Sequence, residues 1–319
     1  MKNILITGGF GFIGSNLINY LIRKKFKISV LDNLSYNKIS KINNKILFIK
    51  GDIVNINNIK SLNKKFDCVI HLAASAEILI NIQNEKKYFK DNIVGLQEVL
   101  NFTVKNKIKK FIFTSSSSVY GDTNNLKVSE KFNLKPKHYY AYTKYIGEEM
   151  ILKYSEVNNI NSTILRFFNI FGPKSNAVIG KFLAQKIQKK KITIFGNGLQ
   201  KRDFLHVDDV SNAILKVINN KKSKGKIYNL GSGKANSILD IIKLISAKDV
   251  IFLPKRADDI EISISNISKI ARELNWKPHI KLSEGIRNII KTDLERLKNL
   301  KIPSINSQRK LILKFNKKK

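Results

Sequence analysis

The stretch from Ile4 to Asn16, I-L-I-T-G-G-F-G-F-I-G-S-N, constrains the fold more than any other part of the chain. Ile4, Leu5 and Ile6 form an apolar run too short for a helix, the pattern of a strand buried on both faces of a parallel sheet. Gly8, Gly11 and Gly14 follow at three-residue intervals, and Ile13, Leu17, Ile18 and Leu21 then take up helical spacing. A strand, a tight glycine turn and a helix result. Glycine there permits positive φ and close approach of backbone to a ligand, and the unbonded N–H groups at the helix start suit a pyrophosphate. A glycine repeat gains weight from a second strand ending in an acid about 20 residues on. Lys27 to Leu31 supplies the strand and Asp32 the acid. A carboxylate there would accept hydrogen bonds from ribose hydroxyls and repel a 2′-phosphate, which points to NAD(H) rather than NADP(H). The plainer alternative is that Asp32-Asn33 only opens a turn.

At 319 residues the chain can bury a large core, in one large or two medium domains. No apolar run approaches the ~20 residues needed to span a bilayer. No stretch resembles a signal peptide, and a cytoplasmic protein is expected. One cysteine, Cys68, excludes an intramolecular disulfide and fits a reducing compartment. The formal charge is +35, from 59 Lys and Arg against 24 Asp and Glu. The lysines are spread along the whole chain, and no stripe interleaves them with aromatics as single-strand binders do. The charge therefore reads as a compositional bias that helps attract an anionic substrate, with nucleic acid or an anionic membrane as the less favoured partner.

Further along, Ile46 to Ile49 reads as a strand ending at Gly51-Asp52-Ile53, and Ile56 to Leu62 as a helix-like stretch. Asp67 to Ala74 is a strand ending in small residues, over which a cofactor could pass closely. Asp91 to Val104 and Tyr139 to Val157 have helical patterns. Between them, Phe111 to Phe113 feeds into Thr114-Ser115-Ser116-Ser117-Ser118-Val119-Tyr120-Gly121, and Ser162 to Phe168 is another strand. This alternation predicts an α/β fold, a doubly wound parallel Rossmann sheet over residues 1–168. Residues 169–298 read as a smaller α/β substrate-binding domain, with Asp208 to Ile218 and Ile227 to Leu230 able to return to the first. Residues 299–319 read as a basic mobile tail.

Tyr140 and Lys144 are four residues apart and share a helix face. An ammonium beside a phenol favours phenolate and lowers its pKa, as a general base near neutrality requires. Ser116 can hydrogen-bond the same reacting oxygen.

In these motifs the sequence resembles the extended short-chain dehydrogenase/reductase family, and within it the nucleotide-sugar epimerases similar to UDP-glucose 4-epimerase. The resemblance runs from Met1 to about Ile290. It is carried by T-G-G-F-G-F-I-G at Thr7 to Gly14, H-L-A-A at His71 to Ala74, S-S-S-S-V-Y-G at Ser115 to Gly121 and Y-A-Y-T-K at Tyr140 to Lys144. L-R-F-F-N-I-F-G-P at Leu165 to Pro173 and R-D-F-L-H-V-D-D-V at Arg202 to Val210 extend it. It implies Ser116, Tyr140 and Lys144 as catalytic residues. It implies a cofactor site of Gly8, Gly11, Phe12, Ile13, Gly14, Asp32, Asn33, Asp52, Ile53, Leu72, Ala73, Ala74 and Asn92, joined by Tyr140 and Lys144. For the substrate it implies Ser116, Asn169, Phe195, Arg202 and Arg256. No metal is implied. Two arginines suit a diphosphate, although Arg202 could instead form an ion pair with Asp203. His71 and His206 read as structural, and Glu148 and Glu149 as a solvated helix face.

The implied reaction is C4 epimerisation of a UDP-hexose, such as UDP-glucose, a UDP-N-acetylhexosamine or UDP-glucuronate, through a transient 4-keto sugar, in a homodimer serving surface polysaccharide synthesis. Within the resemblance, 4,6-dehydratases carry Asp-Glu where Ser117 and Ser118 stand, decarboxylases carry Glu at the place of Ser118, and 3,5-epimerase/reductases use a cysteine absent here. The family's usual Ser and Pro are replaced by Asn81 and Glu85, and its Gly by Asp258. The rival readings are a dehydratase or oxidoreductase of the same family and, from another class, a non-enzymatic NAD-binding protein with a basic nucleic-acid-binding surface.

Overall fold

Leu5 packs into one hydrophobic cluster while its neighbours Ile4 and Ile6 pack into another, so the first strand is covered on both faces and has no use for a polar residue. The computed structural model describes residues 2–36, 43–76, 85–123, 126–257 and 259–317; Asn81 and Asp258 lie outside them. The elements run β1 (Asn3–Thr7), α1 (Phe12–Arg23), β2 (Lys27–Asp32), β3 (Ile46–Lys50), β4 (Cys68–His71), α2 (Glu85–Phe89), α3 (Gly95–Lys105), β5 (Lys110–Ser116) and β6 (Lys127–Val128). They continue with α4 (Tyr139–Asn158), β7 (Asn161–Phe167), β8 (Asn169–Phe171), α5 (Val178–Ile187), β9 (Ile192–Phe195), β10 (Lys201–Arg202), β11 (Phe204–His206), α6 (Val207–Asn219) and β12 (Lys226–Leu230). Last come β13 (Asn236–Ser237), α7 (Ile238–Leu244), β14 (Val250–Leu253), β15 (Ile262–Ser265), α8 (Ser268–Leu274), α9 (Leu282–Asn299) and α10 (Ile305–Lys317).

Seven parallel strands form the main sheet in the order β12-β7-β5-β4-β1-β2-β3. The chain winds outward from β1 in one direction through β2 and β3, then from β4 in the other. The reversal lies between β1 and β4, where crevices for ligands open at the carboxyl ends of the strands. Leu17, Val210, Ile214 and Trp276 cover one face; Val99, Leu100 and Ile151 cover the other. A third cluster, around Phe171, Phe182, Ile194, Ile241 and Ile289, forms the smaller lobe.

Two segments beyond residue 168, the ones the sequence left able to return, join the large sheet. Helix α6 lies in the first core cluster and β12 pairs with β7, so the later sequence completes the large sheet. Ile56 to Leu62 forms short 3₁₀ turns rather than a helix: Asp52 accepts from the Val54 N–H and Asn55 breaks the helical backbone. The expected mobile tail is the clearest difference. Residues 305–317 are helical, with Ile312 fully buried and Phe315 nearly so. Ile305, Gln308, Leu311, Ile312 and Phe315 recur at helical spacing, a stripe the surrounding lysines obscured. Among the described residues no helix is long and apolar enough to cross a membrane.

Candidate active site

The glycine turn between β1 and α1 is a cradle that side chains would fill. Gly8 has φ +68° and donates its N–H to the Leu31 carbonyl at 2.8 Å; a Cβ there would lie 2.6 Å from the Ala73 Cα. At Gly14 a Cβ would lie 2.6 Å from the Gly9 carbonyl oxygen. Gly11 begins α1 with no side-chain cap and no acid in the first turn, so the helix start keeps its partial positive charge for an anion. Phe12 and Ile13 form that first turn.

The Asp32 carboxylate sits beside the turn, accepting the Phe10 N–H at 2.9 Å and the Leu34 N–H at 2.8 Å. Asn33 donates to Asp52 at 3.0 Å, and Ile53 behind it is buried. Leu72, Ala73 and Ala74 leave β4 half-buried along the same edge. These residues fit a dinucleotide: small backbone at the turn, an uncapped helix start and a carboxylate at the end of β2. Asn92 differs, because its buried amide holds Ser75 on both backbone atoms and donates to the Thr143 hydroxyl at 2.9 Å. Its side chain braces the 75 loop against α4.

Beyond the cradle, β5 delivers Ser116 and the first turns of α4 deliver Tyr140 and Lys144. His138 caps α4 by accepting the Ala141 N–H at 3.2 Å, and its ring lies 6.0 Å from that of Tyr140. Tyr140 is half-buried and hydrogen-bonded to Ser116. The Ser116 hydroxyl also accepts from the N–H and the hydroxyl of Ser118, at 3.2 and 3.0 Å. One turn on, the buried Lys144 Nζ donates to the Thr114 carbonyl at 2.8 Å and lies 5.9 Å from the Tyr140 ring centroid.

The electrostatics correct the sequence expectation. Burial holds the Tyr140 phenol above its ordinary pKa, and the Ser116 hydrogen bond opposes this without reversing it. Burial pushes Lys144 down to about 8, with the Glu148 carboxylate pulling the other way. Desolvation therefore outweighs any help the ammonium gives the phenol. His71 is structural: its Nδ1 is 2.8 Å from the Thr7 hydroxyl, its ring lies between Phe111 and Phe113, and burial lowers it to about 3, so it stays neutral. His206 caps α6 through the Asp208 N–H.

Glu148 is the second correction. It is not solvated but 1% exposed, in a bidentate pair with Arg166 at 3.0 and 2.6 Å. Ser115, next to Ser116, donates to the same carboxylate. Arg166 continues to the Tyr120 hydroxyl at 2.9 Å, which donates to Asn229 at 2.6 Å. This buried network joins β5, α4, β7 and β12 directly beneath the serine turn. Tyr140, Lys144 and Glu148 fall at successive four-residue steps on one helix face, the spacing by which Glu148 could have been found.

On the smaller lobe, Asn169 starts β8 and Phe195 ends β9, both half-buried. Arg202 pairs with Asp259 rather than its neighbour Asp203. Asp203 is fully buried and accepts from Ser232, Gly233 and Ser265, so no ion pair with Arg202 is needed to explain it. Arg256 and Asp259 line a cleft of about 610 Å³ with Asp122, Thr123 and Lys137.

Residues 4–231 match the profile of the NAD dependent epimerase/dehydratase family. The chain belongs to that family. A Methanocaldococcus jannaschii protein provisionally named a UDP-glucose 4-epimerase is 34% identical over 90% of this chain and 97% of its own. The solved UDP-glucose 4-epimerase of Thermotoga maritima with UDP-glucose superposes with TM-score 0.87 at 30% identity, over 93% of this chain and 100% of that one. A Bacillus cereus UDP-glucuronic acid 4-epimerase in complex with UDP-glucuronic acid and NAD gives TM-score 0.85 at 29% identity, over 94% and 100%. A dehydratase and a decarboxylase are also among the relatives. As a family member the chain is an NAD-dependent enzyme, and its fold is that of the solved epimerases.

Proposed function

We propose that this chain is a nucleotide-sugar 4-epimerase of UDP-hexose type. The observation that carries the reading is the convergence of Ser116, Tyr140 and Lys144 at the carboxyl edge of the sheet, beside the glycine cradle, with hydroxyls rather than carboxylates at 117 and 118. A dehydratase needs a further acid and base to eliminate water, and Ser117 and Ser118 offer neither. The backbone of Gly11 to Gly14 and the Asp32 carboxylate would hold NAD. When bound, NAD supplies a hydride acceptor and donor for the sugar C4, and its oxidised ring a positive charge.

Tyr140 takes the proton of the sugar C4 hydroxyl at its phenolic oxygen and later returns it. Ser116 holds the same sugar oxygen and the phenol in line. Lys144 gives a nearby positive charge that favours phenolate once the crevice is filled. Arg202 and Arg256 bind the diphosphate, with Asn169 and Phe195 bordering the nucleotide. Two chains pair through the exposed stripe of Tyr139, Tyr142, Ile146 and Val157 on α4.

The test is to incubate purified protein, without added cofactor, with UDP-, dTDP- and GDP-sugars and follow C4 configuration by proton NMR. Interconversion of a C4 pair is expected with a UDP-sugar, and a loss of about 10²-fold or more in Tyr140→Phe. Loss of water from the sugar, or net consumption of NAD(H), would reject the epimerase in favour of a dehydratase or oxidoreductase.

A further inference from the structure

The C-terminal helix α10 reaches the substrate cleft from behind. The Asn316 side chain holds the backbone on both sides of Arg256: its Nδ2 donates to the Lys255 carbonyl at 2.8 Å and its Oδ1 accepts the Ala257 N–H at 2.9 Å. The next residue inward, Phe315, lies under the Arg256 guanidinium, with Cζ 5.6 Å from the ring centroid. Stacking on an aromatic face fixes the plane in which an arginine's N–H donors lie. The same loop carries Asp259, the partner of Arg202. Helix α10 is itself anchored: Ile312 is fully buried, Thr193 donates to Gln308 at 2.8 Å, and Ser304 caps the helix start by accepting the Ser307 N–H at 3.2 Å.

From this geometry we infer that α10 is a positioning element for nucleotide binding, which sets affinity for the substrate's diphosphate by holding Arg256 and, through Asp259, Arg202. The inference rests on the assignment of Arg256 to the substrate in the proposed function. No residue of α10 takes part in the chemistry, so its effect falls on binding rather than turnover.

The experiment uses the full chain and UDP as probe. Phe315→Leu keeps an apolar side chain but removes the aromatic face, and Asn316→Ala removes both loop bonds. The double variant is expected to bind UDP about tenfold more weakly by calorimetry. KM for the interconverted sugar nucleotide should rise in step, with kcat and bound NAD as in the native protein. Phe315→Tyr, which keeps the ring face, should bind as the native chain does; a loss there as large as in the double variant would mean that packing, not the stacked arginine, is what matters. Native UDP affinity in the double variant, with weakened binding in Arg256→Ala, overturns the inference. Native affinity in Arg256→Ala as well places the fault one step earlier, in the assignment of Arg256, and the inference falls with it.

Discussion

Lys144 shows how a single buried charge couples stability to pH. Its folded pKa of about 8 lies below the ordinary 10.5, so between those values the unfolded chain binds more protons and stability rises with pH. Below pH 8 the penalty is complete, on the order of 3 kcal/mol. Lys144→Met should therefore gain stability relative to the native chain most strongly below pH 8, and lose that advantage toward pH 10.5, as read from urea unfolding at several pH values. A difference independent of pH would show that folding leaves the lysine's pKa where it stands in the unfolded chain. Gly14 is constrained by space: Gly14→Ala would put a Cβ 2.6 Å from the Gly9 carbonyl, which backbone must move to relieve. A destabilisation of about 1–3 kcal/mol is expected, together with loss of NAD released on denaturation. Both positions were legible in sequence, Gly14 from the three-residue repeat and Lys144 from its spacing to Tyr140. The direction of the phenol's pKa was not, since desolvation depends on what the rest of the chain places around it.

Between elements, the Glu148–Arg166 pair ties α4 to β7 below the serine turn. Removing one partner leaves the other charged and buried, so Glu148→Gln should cost about 3–5 kcal/mol, whereas Glu148→Leu with Arg166→Met should recover most of it. Thermal unfolding of the single and double variants decides this; equal losses in both would show that the network acts through packing alone. The strands and long helices announce themselves by periodicity, because a strand covered on both faces needs an unbroken apolar run and a half-covered helix a stripe. Glu148 did not, because its glutamate looks like any surface glutamate until β7 brings Arg166 against it.

Over the whole molecule, the exposed apolar stripe on α4 predicts a dimer that Ile146→Glu should convert to monomer in sedimentation, with the fold intact; a monomeric native protein would refute that pairing. The lobe boundary followed tertiary packing rather than chain order, since β12 and α6 return to the first sheet. By itself the sequence determined what neighbouring residues dictate: the glycine turn, the acid ending β2, the alternation of strand and helix, and the shared face of Tyr140 and Lys144. Local backbone geometry is enough for each of these. Only the tertiary structure decided which partner each charge finds, Arg202 with Asp259 and Arg166 with Glu148, and whether the basic end of the chain is loose or docked. Such pairings join residues far apart in sequence, and burial, which sets both their strength and their pKa values, exists only once the whole chain has packed.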